Sequence, residues 1–111
     1  MKLTHEDYDQ LCVFTIRGDL TADDVEQVRR LARERMSNDV RDFVLDVSQM
    51  QFVDSAGLEA LIWIQDQCGE KLGQMRLAGA TENFEKIIEM TRLTARFDRH
   101  ASVEAAIKSM R

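Results

Sequence analysis

A chain of 111 residues has room for one domain and one hydrophobic core. Apolar residues make up 44% and charged residues 32%, a globular balance that excludes disorder over most of the length. The formal net charge of -5 argues against a nucleic-acid backbone or an anionic membrane as the main partner. No apolar run approaches the roughly 20 residues that span a bilayer, and the polar start MKLTHEDYDQ does not read as a signal peptide. A cytoplasmic protein without membrane insertion is expected, with a single unit over residues 1–111.

The stretch KLTHEDYDQLCVFTIRG predicts two strands joined at Asp9-Gln10. Leu11 to Ile16 is apolar on both faces, as in a strand covered on both sides, and Gly18 breaks it. Thr21 is placed to cap a first helix, with Asp24 three residues on as a shorter relative of the capping box. Asp23 and Asp24 suit the positive end of the helix dipole, and Arg33 and Arg35 the negative end. Val25, Val28, Leu31, Ala32 and Met36 form an apolar stripe that should cover a sheet. Arg29, Arg30, Arg33 and Arg35 read as a solvated face, with an acidic docking partner as the alternative. DFVLDVS predicts a third strand.

A second helix follows Ser55, with Leu58, Leu61, Ile62 and Ile64 among its apolar positions and Gly69 placed to end it. Trp63 is expected at a packed edge. Met75 to Ala78 is a fourth strand, and Thr81 caps a third helix that buries Phe84, Ile87 and Ile88. A last short strand is expected around Phe97, and Ser102 caps a final helix. The order β-β-α-β-α-β-α-β-α makes an α/β fold with a mixed, mostly parallel sheet and helices packed against it. The opening hairpin supplies the antiparallel strand.

Cys12 and Cys68 stand apart and read as reduced core thiols. Neither they nor His5 and His100 have metal-ligand spacing, so no metal and no cofactor is expected.

The informative stretch is FVDSAGLEALIWI, where Ser55 stands at a strand-to-helix transition. A serine nucleophile needs a nearby base, and the Gly-x-Ser-x-Gly elbow fails because Val53 holds the first glycine position. No P-loop pattern is present. The simplest structural role for Ser55 is a helix N-cap. The small pair Ala56-Gly57 exceeds what a cap requires, and suggests a hydroxyl kept approachable by another macromolecule. A phosphate on a helix N-terminal hydroxyl is favoured by free N–H groups and the dipole, while Asp54 repels it. Such a site is a basis for a binding switch.

IRGDLT before the first helix, FVDSAGL before the second and MTRL after the third resemble the STAS family over essentially the whole chain. The resemblance is to its single-domain bacterial anti-sigma factor antagonists. Asp54-Ser55-Ala56-Gly57-Leu58 looks like that family's signature, in which the serine after the aspartate is phosphorylated.

The resemblance implies that Ser55 is the phosphorylation site. It implies an anti-sigma factor with serine kinase activity as partner and a serine phosphatase that resets the cycle. The chain itself would be a non-catalytic protein, monomeric when free. The implied partner-binding surface comprises Asp54, Ser55, Ala56, Gly57, Leu58, Thr21, Asp23, Met50 and Phe52, with one or both of Met50 and Phe52 exposed.

Two departures stand out. Thr21 replaces an acid common at the start of the first helix, and Arg92 replaces a glycine after the third, so that helix is expected to end differently. Two rival roles are a STAS subunit docking on the ATPase of a lipid-transport ABC system and a receiver phosphorylated on Asp54. The receiver role lacks its acidic pair and its lysine.

Overall fold

The computed structural model describes residues 1–110. Its strands are β1 (Lys2–Tyr8), β2 (Leu11–Arg17), β3 (Asp42–Gln49), β4 (Met75–Ala78) and β5 (Arg99–His100). Its helices are α1 (Val25–Ser37), α2 (Ser55–Glu70), α3 (Glu82–Met90) and α4 (Val103–Ser109), with a 3-10 turn at Ala22–Asp24 leading into α1.

The five strands lie in sequence order across one sheet. β1 pairs antiparallel with β2 through the hairpin at Asp9 and Gln10, and the remaining pairs are parallel. The mixed, mostly parallel α/β fold is therefore as expected.

Alternation along the strands sorts their side chains into two layers. Cys12, Phe14, Ile16, Phe43, Leu45, Val47, Met75 and Leu77 face the larger core. There they meet Val28, Ala32 and Met36 of α1, Leu61 and Ile64 of α2, and Phe84 and Ile88 of α3. Phe14 and Phe43 pack edge to face, with ring centroids 5.1 Å apart.

On the opposite face Val13, Val44 and Ala78 of the sheet meet Ala106 of α4 in a smaller buried set. α4 has seven residues and covers the β3–β5 side, so Leu11 and Thr15 stay partly exposed. β2 is thus covered fully on one face and only in part on the other, against expectation.

Both cysteines are buried and free. Burial pushes the Cys68 thiol up to about 12 and raises that of Cys12 still further, so both are inert core groups.

Caps at α3 and α4 follow the sequence. The Thr81 hydroxyl accepts from the Phe84 amide at 3.1 Å, and that of Ser102 accepts from Ala105 at 3.1 Å. The helix C-termini depart from it. α2 runs through Gly69 to Glu70 and ends with Leu72 in the left-handed region at φ 61°. Gly73 N–H donates to the Cys68 carbonyl at 2.7 Å and Leu72 N–H to that of Gly69 at 3.1 Å, a Schellman closure. α3 closes in the same way. Leu93 N–H donates to Ile88, Arg92 N–H donates to Glu89, and Arg92 lies at φ 62°.

An arginine therefore occupies the left-handed position in the ordinary motif, and the helix does not end differently. That conformation costs a residue with a Cβ about 1–2 kcal/mol. Arg92→Gly is expected to stabilise the protein by about 0.5–1 kcal/mol in urea unfolding, because glycine's greater unfolded freedom offsets part of the relief. A destabilised Arg92→Gly would contradict the assigned backbone.

The last strand lies at Arg99–His100 rather than around Phe97, whose ring is buried in the larger core instead.

Candidate functional site

Two loops leave the carboxyl ends of β2 and β3 side by side. Gly18, at φ 93°, turns the first, and its amide donates to the Gln49 carbonyl at 3.0 Å. Beyond it, Leu20 and Val53 form a parallel bridge. Leu20 N–H donates to Phe52 at 3.1 Å, Asp54 N–H donates to Leu20 at 3.2 Å, and Phe52 N–H donates to the Asp19 carboxylate at 3.1 Å. Leu20 and Val53 are buried beneath this zipper. The 3-10 turn and the first turn of α2 thus become one surface.

Asp54 completes the junction. It is the N-cap of α2 in extended conformation, and one carboxylate oxygen accepts from the Gly57 amide at 2.8 Å. The other oxygen accepts from the Ala22 amide at 2.9 Å. One side chain therefore satisfies donors at two helical starts, α2 and the turn before α1. Both oxygens are committed to backbone amides, which disfavours Asp54 as a free phosphoacceptor.

Ser55 is the first helical residue and not the cap, which corrects the simplest structural role. Its side chain is exposed and makes no hydrogen bond among the described residues. The first amides of a helix have no partner within it. Asp54 takes the one at Gly57, so those of Ser55 and Ala56 lie beside the hydroxyl without an intrahelical acceptor.

The small residues serve a different end from the one expected. Gly57 is buried, and a Cβ there would lie 2.6 Å from Val53 Cγ2 and 2.7 Å from the Leu20 carbonyl oxygen. Glycine is required so that α2 can start against the β2 loop, and it does not open a path to Ser55. Leu58 is also buried and belongs to the larger core, so neither Gly57 nor Leu58 offers a side-chain contact to a partner. Ala56 is half-buried at the rim.

Met50 is fully buried at 0%, and its carbonyl accepts from the Thr81 hydroxyl at 3.1 Å, which ties the loop to the start of α3. The expectation of a surface residue passes to Phe52 alone, which is 49% exposed. Thr21 sits half-buried at the head of the 3-10 turn, where its amide and its hydroxyl donate to the Asp24 carboxylate, each at 3.3 Å. Asp23 is exposed on the same turn.

The structure brings Thr21, Asp23, Phe52, Asp54, Ser55 and Ala56 to one end of the sheet. It adds Asp19, Leu20 and Ala22, which sequence reasoning missed. Their partners lie 32 to 34 residues away, and only backbone atoms or a carboxylate join them, so no spacing in the chain announces them.

The arginine face divides. Arg35 is tied to Asp7 at 2.6 Å and to Glu34 at 2.8 Å, whereas the guanidinium groups of Arg29 and Arg33 each lie 5.6 Å from the Trp63 ring centroid. Trp63 is half-buried, as expected of an edge residue. No helix among the described residues is long and apolar enough to cross a membrane.

A sheet of this order with helices after each parallel strand, and an Asp-Ser pair opening α2, defines a known class. The STAS domain pattern matches residues 2–106, and the chain belongs to that family. BtrV of Bordetella bronchiseptica, provisionally named an anti-sigma factor antagonist, is 24% identical over 106 residues, covering 96% of this chain and 91% of BtrV.

An anti-sigma factor antagonist from Mycobacterium paratuberculosis has the same fold, with TM-score 0.84 and 18% identity over 98% of this chain and 92% of that one. So does the anti-sigma factor antagonist SpoIIAA in its unphosphorylated form, at TM-score 0.75 and 15% identity over 97% and 96% of the two chains. The phosphorylated form of the Bacillus cell fate determinant SpoIIAA matches at 0.77 and 20%, over 99% and 100%.

Proposed function

We propose that this chain is an anti-sigma factor antagonist whose binding is switched off by phosphorylation of Ser55. The carrying observation is the exposed Ser55 hydroxyl on the first turn of α2, beside helix amides without intrahelical acceptors and on a surface knit to the start of α1. Family membership and the names of the relatives support the same reading.

In the unphosphorylated state the surface around Ser55, Ala56, Thr21, Asp23 and Phe52 binds an anti-sigma factor that is itself a serine kinase, and a sigma factor is released. The kinase brings ATP. Ser55 Oγ attacks the γ-phosphorus, the bond from that phosphorus to the β,γ-bridging oxygen breaks, the hydroxyl proton passes to the kinase, and ADP leaves. A serine phosphatase directs water at the phosphorus, the Oγ–P bond breaks, inorganic phosphate leaves and Oγ takes up a proton, which restores the hydroxyl. The chain is substrate and ligand in this cycle, which takes place in the cytoplasm.

The fold tolerates the modification for a physical reason. The phosphate adds about -1.5 to -2 charges at pH 7, and the Ser55 and Ala56 amides with the α2 dipole favour negative charge. The Asp54 carboxylate is already held by two amides, so it need not move. The partner then meets a dianion where it met a hydroxyl. An uncompensated interfacial charge of this kind costs about 2–5 kcal/mol, roughly thirtyfold or more in affinity.

The test is incubation with the candidate kinases of the source organism and ATP, followed by mass spectrometry. Labelling is expected at Ser55 and is absent in Ser55→Ala. Ser55→Asp should keep the wild-type melting temperature and bind the kinase at least about tenfold more weakly by calorimetry. Equal affinity of Ser55→Asp and wild type would refute the switch.

A further inference from the structure

The first strand is a free sheet edge. β1 stands at one end of the strand order and pairs only with β2, so every second residue turns its N–H and C=O outward without a ladder partner. Alternation puts Lys2, Thr4, Glu6 and Tyr8 on one face and Leu3, His5 and Asp7 on the other. All are exposed except Leu3, which packs against the larger core.

The charges on this edge are unsatisfied within one copy. Lys2 stands directly opposite Arg17 of β2, a like-charge pair, and neither has an ion pair among the described residues. Glu6 stands opposite Val13, and its carboxylate accepts from the Tyr8 hydroxyl but has no ion pair among the described residues. Lys2 and Glu6 share a face four residues apart, about 13 Å along a strand, so they do not meet within one chain. An open groove of about 310 Å³ beside Glu6 is lined by Thr4, His5, Glu6, Val13 and Thr15. A carboxylate next to a valine wall suits a lysine, whose ammonium meets the first while its aliphatic stem covers the second.

From this we infer that β1 is an interface to a second copy of this chain, paired antiparallel about a two-fold axis at Thr4. In that register Lys2 faces Glu6 of the second copy, Glu6 faces its Lys2, and Thr4 faces Thr4. Leu3 and His5 face each other on the α1 side. Charge singles out this register. An axis at Leu3 sets Lys2 against Thr4, and one at His5 sets Lys2 against Tyr8 and Glu6 against Thr4. Axes at Glu6 and Asp7 set like carboxylates together. Only the axis at Thr4 gives both charges an opposite partner, and symmetry makes the contact twice. The incoming carboxylate also lies beside the Lys2–Arg17 pair and offsets its repulsion. The contact is confined to one strand edge, smaller than a standard interface, so the dimer is weak. It replaces the monomeric free state that the family resemblance implies. Ser55 follows β3, two strands in from this edge, so both switch sites stay exposed.

The test is sedimentation equilibrium of the full chain alone, from roughly 10 μM to 1 mM. Wild type should pass from monomer towards dimer over that range, and less so as salt rises. Lys2→Glu sets carboxylate against carboxylate, and Glu6→Lys sets ammonium against ammonium. Each variant alone should therefore dimerise about tenfold more weakly. An equimolar mixture of the two should recover the dimer, because each contact between unlike chains again joins opposite charges. Circular dichroism checks that both variants fold.

Recovery in the mixture is specific to the Lys2–Glu6 contact and supports the pairing. A wild type that stays monomeric throughout leaves the edge to solvent or to a strand of another protein, and overturns it. A dimer that either variant keeps at wild-type strength, or a mixture no stronger than the single variants, overturns it as well. No kinase or ATP is present, so failure here leaves the Ser55 switch to its own test.

Discussion

Asp54→Ala is expected to lower the unfolding free energy by about 2–3 kcal/mol. Loss of an ordinary N-cap costs about 1 kcal/mol. Here the same carboxylate also holds the Ala22 amide at 2.9 Å, and a charge-assisted bond of this kind contributes about 1.5 kcal/mol more. The melting temperature should fall by roughly 8–15 °C.

Asp54→Asn separates the two halves. Its amide oxygen can still accept from Gly57, but its NH₂ group would face the Ala22 donor. An intermediate loss of about 1 kcal/mol is therefore expected, with the α2 cap kept and the link to the turn before α1 broken. If Asp54→Ala unfolds within about 0.5 kcal/mol of wild type in urea, the carboxylate does not join the two helical starts. Freeing the turn also frees Thr21 and Asp23 from their register with Ser55, so kinase labelling should slow even where the fold survives.

Gly57→Ala is expected to destabilise by about 1–3 kcal/mol, the usual range for overpacking. Propensity alone predicts the opposite sign, since alanine is better than glycine inside a helix by about 1 kcal/mol. Contact decides the matter. The added methyl would sit 2.7 Å from a backbone oxygen, that of Leu20, which cannot rotate away as a side-chain end can.

Gly69 is the internal control. It lies on the same helix, and a Cβ added there would meet nothing within 4 Å, so Gly69→Ala should stabilise by about 0.5–1 kcal/mol. Thermal melts of the two variants should therefore move in opposite directions. A stabilising Gly57→Ala would mean that α2 and the Leu20 loop do not meet as closely as described.

The readings that held have local causes. Thr81 and Ser102 cap helices because a short polar side chain reaches an amide three residues on. The β2, β3 and β4 cores alternate because successive side chains point to opposite faces. Where readings failed, the cause was more distant. Gly69 looked like a helix end, but Leu72 and Gly73 close α2 further along the chain, and Gly73 is needed because a Cβ there would strike the Arg41 carbonyl oxygen at 2.1 Å. Ser55 looked like a cap, but its neighbour Asp54 has the longer reach to a second amide on another loop. Met50 looked like a neighbour of the switch, yet a turn bond from its amide to the Val47 carbonyl at 3.1 Å sends its side chain into the core.

By itself the sequence determined the α/β order, the parallel sheet with its opening hairpin, and the presence of a serine at the head of the second helix. These follow from periodicity and from short-range capping, which act over a few residues. Only the tertiary structure decided which of Asp54, Ser55, Gly57 and Met50 face outward and which hold the loops together. Those roles depend on backbone groups more than thirty residues apart meeting at the carboxyl ends of β2 and β3, and a one-dimensional pattern carries no record of such meetings.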